Sequence, residues 1–265
     1  MKFLLIPALA LGITLGYMVM FEDQYIYFPM RDVARTPADV GLAFEEHHFV
    51  TGEGIKLYGW YMPGREAGFT VLHFHGNAGN ISHRLHLYQR WHDMGLGVFA
   101  FDYRGYGKSE GEPSEPGLYA DGRAALKEMQ EGLSIPAERI ILAGRSIGCA
   151  VAAELATAVN AAGLALETPF TSIPDMAKKH YPWLPLGPFI RSRFDILQVI
   201  EDVDMPLLIL SANDDHIAPA WMAGRILEAA KTRKNSTGLD GGHNDFDIVS
   251  ERAYISVWAD WLASL

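Results

Sequence analysis

The chain has 265 residues, 49% hydrophobic and 20% charged, enough to bury a sizeable core within one α/β domain. A net charge of −10 with no Lys/Arg block argues against nucleic acid as a partner. Cys149 is the single cysteine, which excludes an internal disulfide.

The first element is apolar. From Phe3 to Phe21 the sequence FLLIPALALGITLGYMVMF carries no charge. At about 1.5 Å per residue it nearly spans a hydrocarbon core of roughly 30 Å. Lys2 precedes it, and Glu22 and Asp23 follow. Positive-inside reasoning predicts a single-pass membrane helix over residues 1–22, with the rest of the chain (23–265) on the non-cytoplasmic side. A cleaved signal peptide, ending at the small-x-small sequence TLG of residues 14–16, is the alternative.

EEHHFVT (45–51) and IKLYGWYMP (55–63) read as strands joined by a turn at 52–54, an antiparallel edge. FTVLHFHG (69–76) is a third strand, residues 80–94 a helix ending at Gly95, LGVFAFDYRG (96–105) a strand and 117–131 a helix. RIILAG (139–144) is a strand that runs into an alanine-rich helix. GLALE (163–167), PLLILSA (206–212) and KNSTGL (234–239) are further strands, with helical patterns at 220–230 and 245–263. Strands alternating with helices predict a mostly parallel sheet covered on both faces, without a linker that would divide the chain. Residues 168–204 break this rhythm with five prolines, Pro169, Pro174, Pro182, Pro185 and Pro188. A regular helix throughout is excluded, and a cap at the strand-end face is expected.

The motif G-x-S-x-G falls on Gly144, Ser146 and Gly148, between strand and helix. Such a turn lifts a hydroxyl clear of the sheet at a helix N-terminus, and its glycines relieve crowding two residues to either side. A plain Gly-flanked turn is the bland alternative. A nucleophilic serine needs a base and an acid, in the chain order Ser, acid, His. His243, in the loop GGHND (241–245), is the candidate base; His180 lies inside the insertion and is read as packing or facing water. Asp214 and Asp215 both follow the strand 206–212, and spacing does not separate them. The oxyanion donors expected are the N–H groups of Ile147, after the nucleophile, and Asn77, in the loop HGNAGN (75–80). His73 and His75 share a strand face but lack accompanying ligands at metal spacing, so no metal is expected; His83 and His86 read as a solvated helix face, and Cys149 as a small buried residue. No dinucleotide fingerprint or P-loop occurs, and no cofactor is expected.

The blocks HGNAGNISHR, DYRGYGKSEGEPSEPGLYAD, GRSIG, ETPFTSIPDMA, DDHIAP and GGHNDF together resemble the α/β-hydrolase superfamily. They are most similar to its membrane-anchored serine hydrolases related to the bud-emergence suppressor proteins, as is QYIYFP after the anchor. The resemblance covers the chain from about Gln24 onward. It implies the α/β-hydrolase fold, with nucleophile Ser146, base His243 and oxyanion position Asn77. It also selects Asp215 as the acid, in a D-x-x-[VI]-P motif that ends at Pro219 but carries Ala218 at its fourth position. DYRGYG (102–107) is implied to be architectural.

The activity that the resemblance implies is hydrolysis of acyl esters, lipid-like or membrane-associated, through an acyl-enzyme. Trp183 and Leu186 of YPWLPLGPF (181–189) are expected to contact substrate, and membrane lipid to hold the N-terminal helix. An acyl-protein thioesterase, a serine peptidase and a non-catalytic binding protein are the alternatives.

Overall fold

The computed structural model describes residues 12–65 and 68–265. Eight strands form one sheet: β1 (Glu45–Val50), β2 (Lys56–Met62), β3 (Thr70–Phe74), β4 (Gly97–Asp102), β5 (Ile140–Arg145), β6 (Gly163–Glu167), β7 (Leu207–Ala212) and β8 (Lys234–Leu239). Their order is β8-β7-β6-β5-β3-β4-β2-β1. All neighbours are parallel except at one edge, where β2 runs antiparallel to both β4 and β1. This is the α/β-hydrolase arrangement expected, including the antiparallel edge.

The central strands are buried on both faces, as parallel strands under two helical layers must be. Their side chains alternate between two cores. Ile140 and Leu142 of β5 join Leu72, Phe74, Phe99 and Phe101 on one face, beneath helices α2 (Glu115–Lys127) and α3 (Ile147–Ala156). Ile141 and Ala143 join Val71, Val98 and Leu208 on the other, beneath α1 (Leu85–Asp93) and, near the C-terminus, α6 (Glu251–Leu262). Helix α5 (Ala220–Ala229) follows β7.

The longest helix of the insertion 168–204 is α4 (Ile173–His180), and a single α-helical turn, Ile196–Val199, lies near the insertion's end. Ser172 caps α4 by accepting from the Asp175 N–H, and Pro174 sits in its first turn, where a missing N–H costs nothing. Between Tyr181 and Asp195 the prolines allow only turns and a short 3₁₀ segment, Gly187–Phe189.

At the other end of the chain, residues 12–20 and Glu22–Ile26 are helical. No helix among the described residues is long and apolar enough to cross a membrane. Residues 1–11, half of the expected anchor, lie outside the described residues. A feature not read from the sequence follows this helix. Phe28–Pro29 pairs in parallel with Ala78–Gly79, in the loop after β3.

Candidate active site

Five loops leave the C-terminal ends of parallel strands, β3, β5, β6, β7 and β8, and meet at one cavity. The strand order reverses between β3 and β5, which opens a crevice at that end of the sheet. Phe74 is in register with Gly144, and Arg145 with Glu167, so the loops after β3, β5 and β6 emerge side by side.

Ser146 sits in the turn after β5, with φ 54° and ψ −118°. Positive φ is strained for a residue with a side chain, and the turn holds it by bonding the Ser146 N–H to the Glu167 carbonyl at 3.0 Å. The two glycines of the motif serve close packing. A Cβ on Gly144 would collide with the Gly148 carbonyl, and one on Gly148 with the carbonyl of Phe74 in the neighbouring strand. Cys149 is fully buried below the turn, its Sγ 3.1 Å from the Gly144 carbonyl oxygen.

His243 lines the same cavity as Ser146. Its Nδ1 lies 2.6 Å from Asp215 Oδ2, and both residues are buried. The other oxygen, Oδ1, accepts the N–H groups of Ile217 and Ala218 at 2.8 Å each. A carboxylate can only accept, so Nδ1 donates and Nε2 is left to accept a proton on the cavity side. The geometry therefore separates the two aspartates: Asp215 is turned inward to His243, and Asp214 is exposed. His216 is also exposed.

Ile147 begins α3, so its N–H has no partner within the helix. Asn77 is fixed by several bonds. His75 Nδ1 lies 2.7 Å from the Gly76 carbonyl oxygen. Burial holds the His75 pKa down, at about 3, so the ring is neutral and Nδ1 carries its proton toward that carbonyl. Because the peptide is trans, the Asn77 N–H points away from His75. The Asn77 carbonyl accepts from the Phe28 N–H at 2.9 Å and the Tyr106 hydroxyl at 2.8 Å.

The cavity has a volume of about 620 Å³. Phe170, Ile173, Met176, Leu186 and Ile190 contribute apolar lining from the insertion. Trp183 does not line it: its side chain is 69% exposed. The turn in which Leu184 N–H bonds the Tyr181 carbonyl buries Leu184 and Leu186 and sends Trp183 outward, so the expected contact of Trp183 with substrate is corrected. His180 lines the cavity while its Nε2 bonds the Ile217 carbonyl at 2.9 Å.

Behind the serine lies a buried charge network that the sequence did not reveal. Arg145 bonds Glu167 at 2.7 Å and forms an ion pair with Asp247 at 3.1 Å; Arg90 bonds Asp247 at 2.8 Å. Tyr254 donates to Glu167 at 2.6 Å. Burial alone would raise the Asp247 pKa, but His86, Arg145 and Arg90 together hold it well below the usual carboxylate range. His86, read from sequence as solvated, thus faces this network, with Nε2 3.5 Å from Asp247. His83 instead pairs with Asn80 at the helix start. Two cations and two carboxylates tie the ends of β5 and β6 to the segment that follows His243.

Among the described residues no group of three or more His, Cys, Asp or Glu is placed to hold a metal ion. His73 bonds Tyr88, and His75 Nε2 approaches Asp102 at 3.8 Å. Asp102 is fully buried beneath Gly107, where a Cβ would strike its carboxylate, and its Oδ1 accepts the Ile81 N–H at 2.9 Å. Burial pushes its pKa up to about 7. A raised folded-state pKa adds stability that is complete below the ordinary carboxylate value and lost as pH rises through about 7. Against Asp102→Asn, which keeps the shape and stays neutral, wild type should therefore lose roughly 2 kcal/mol of relative stability between about pH 5 and pH 7. Urea unfolding of both proteins across that range measures it; a constant difference would mean that Asp102 is already ionised in the fold.

Comparison with known proteins places these features in context. A sequence profile of the Hydrolase_4 family, described as serine aminopeptidase, S33, matches residues 65–194. The chain is 32% identical to the alpha/beta hydrolase domain-containing protein WAV2 of Arabidopsis thaliana, over 82% of this chain and 78% of that protein. It is 35% identical to the protein bem46 of Schizosaccharomyces pombe, over 78% of this chain and 74% of that one. Among solved structures, an esterase of Pyrococcus furiosus, Pf2001, superposes with a TM-score of 0.77 at 21% identity, covering 89% of this chain and 98% of that one.

Proposed function

This chain belongs to the α/β-hydrolase family, and from that premise we propose that it is a serine hydrolase of carboxylic esters. The observation that carries the reading is the buried Asp215–His243 pair at 2.6 Å, opening on a cavity shared with the strained Ser146. In this reading Ser146 Oγ attacks the acyl carbonyl and His243 Nε2 takes its proton. Asp215 holds the ring in the required tautomer and stabilises its charged form. The N–H groups of Ile147 and Asn77 receive the oxyanion. The alcohol leaves with the proton from His243, and water repeats the sequence on the acyl-enzyme.

The apolar lining favours an acyl portion of lipid type. An acyl-protein thioesterase would use the same groups. The family profile's description keeps a peptidase as the second reading. The uncharged run 3–21 supports a signal-anchor, with the catalytic domain on the non-cytoplasmic side.

One experiment tests the whole reading. Cells expressing the full chain are fractionated, the membrane fraction is treated with a fluorophosphonate probe, and purified enzyme is given matched ester, thioester and amide substrates. Labelling at Ser146 in carbonate-resistant membranes, with ester turnover exceeding amide turnover, is expected. Labelling at a different serine would sink the mechanism; faster amide cleavage would favour the peptidase, and recovery in the soluble fraction would remove the anchor.

A further inference from the structure

The N-terminal segment does more than lead into the domain. Met18, Val19, Glu22, Tyr25, Ile26 and Phe28 line the cavity that holds Ser146 and His243. Ile173, Met176, Leu186 and Ile190 of the insertion line the same cavity. The helix turns its two faces to different surroundings. Met18, Val19, Glu22 and Ile26 recur at helical spacing and are wholly or half buried, while Ile13, Tyr17 and Met20 are exposed.

Glu22 joins the two walls. It is buried, with Oε1 accepting the Ser192 N–H at 2.7 Å and Oε2 the Arg191 N–H at 3.0 Å; the Arg191 Nε lies 3.4 Å away. A buried carboxylate that satisfies two main-chain donors of the insertion is a specific clasp. The same segment also reaches the candidate oxyanion loop. Asn77 Nδ2 donates to the Ile26 carbonyl at 3.0 Å, the Phe28 N–H to the Asn77 carbonyl at 2.9 Å, and the Met30 N–H to the Gly79 carbonyl at 3.1 Å. Asn80 Nδ2 donates to the Met30 carbonyl at 3.0 Å.

We propose that residues 18–28 are part of the substrate site: they form the wall along which a long, unbranched acyl chain lies, clasped to the insertion through Glu22. Acyl length is then selected in the gap between the N-terminal helix and the insertion. This rests on the ester-hydrolase reading for the chemistry at Ser146, but the wall itself can be tested without hydrolysis. Each methylene buried there is worth roughly fourfold in binding, so a long chain amplifies small changes in the gap.

Val19→Trp fills the gap from the helix side. Glu22→Gln keeps the size of the side chain but turns an amide NH₂ toward one of the main-chain donors, which loosens the clasp. Ile13→Ser, on the exposed face, is the control. Full-length proteins, checked for cooperative melting, are assayed on 4-nitrophenyl esters from acetyl to dodecanoyl. The ratio of kcat/KM for dodecanoyl to that for acetyl should fall at least tenfold in Val19→Trp and several-fold in Glu22→Gln, and stay unchanged in Ile13→Ser. In the Ser146→Ala background, a fluorescent dodecanoyl-length fatty acid should bind, and at least tenfold more weakly once Val19→Trp is added.

An unchanged ratio in both wall variants would overturn the proposal, as would absence of fatty-acid binding. If wild type hydrolyses no ester yet the fatty acid binds and Val19→Trp weakens it, the wall stands and the ester reading falls.

Discussion

Ser146→Ala is expected to lower kcat on an acyl ester by at least about 10³-fold, and by as much as about 10⁶-fold, while the protein melts as wild type does. The loss is large because the hydroxyl is the atom that forms the covalent bond, and water positioned by the same groups is a poor substitute. The fold should survive, since the turn is held by the Ser146 N–H on the Glu167 carbonyl and by the packing of Gly144 and Gly148, none of which needs Oγ. Asp215→Asn should cost on the order of 10⁴ in kcat. Its amide would present a donor to Nδ1 and drive the His243 proton onto Nε2, where a base has to be empty. Asp214→Asn, at an exposed side chain, should cost little. Combining Ser146→Ala with Asp215→Asn should cost about as much as Ser146→Ala alone, because the groups act as a unit. Retained turnover in Ser146→Ala, or a larger loss at Asp214 than at Asp215, would reject the assignment.

Arg145→Met should destabilise the protein by about 3–5 kcal/mol, the cost of leaving the buried Glu167 carboxylate without its cation. The guanidinium is buried and sits between Glu167 and Asp247, over the ring of Phe246 at 4.9 Å. Burial alone would lower its pKa, but Glu167 and Asp247 hold it above the usual value, so the cation is firmly present. Methionine fills the space but supplies no charge. For a domain of this size the change corresponds to a fall in melting temperature of roughly 10 °C. Activity should fall too, since Asp247 anchors the segment after His243. A melting temperature unchanged at neutral pH would show that the network adds nothing to the fold.

Both expectations concern neighbouring residues, yet only one was legible in the sequence. Ser146 announces itself through a local pattern, because the sharp turn imposes glycine at fixed offsets, and the offsets are visible as letters. The eight strands and the helices around them were legible for the same reason: burial on one or both faces repeats with the period of the backbone, and β6 runs over the five residues read from GLALE. His243 could be chosen from the order of the elements, since parallel strands deliver their loops to one end of the sheet. Arg145 carried no such sign. Its partners stand 22 and 102 positions further on, and a charged letter looks the same whether it is paired in a core or bathed in water.

What the sequence by itself determined is what short-range geometry dictates: the alternation of strand and helix, the elbow at Ser146, the loop that carries His243, and an insertion too rich in proline for one helix. Spacing left Asp214 and Asp215 open and the family resemblance selected Asp215; the tertiary structure decided how they sit, with Asp215 turned inward and Asp214 exposed, because side-chain direction within one loop is set by packing. It also decided that Leu186 faces the cavity and Trp183 faces away, and that residues 18–28 wall the site. The pairing of Phe28–Pro29 with Ala78–Gly79 joins positions 50 apart through main-chain bonds. Main-chain groups are common to every residue, so such a contact leaves no mark in the letters on either side.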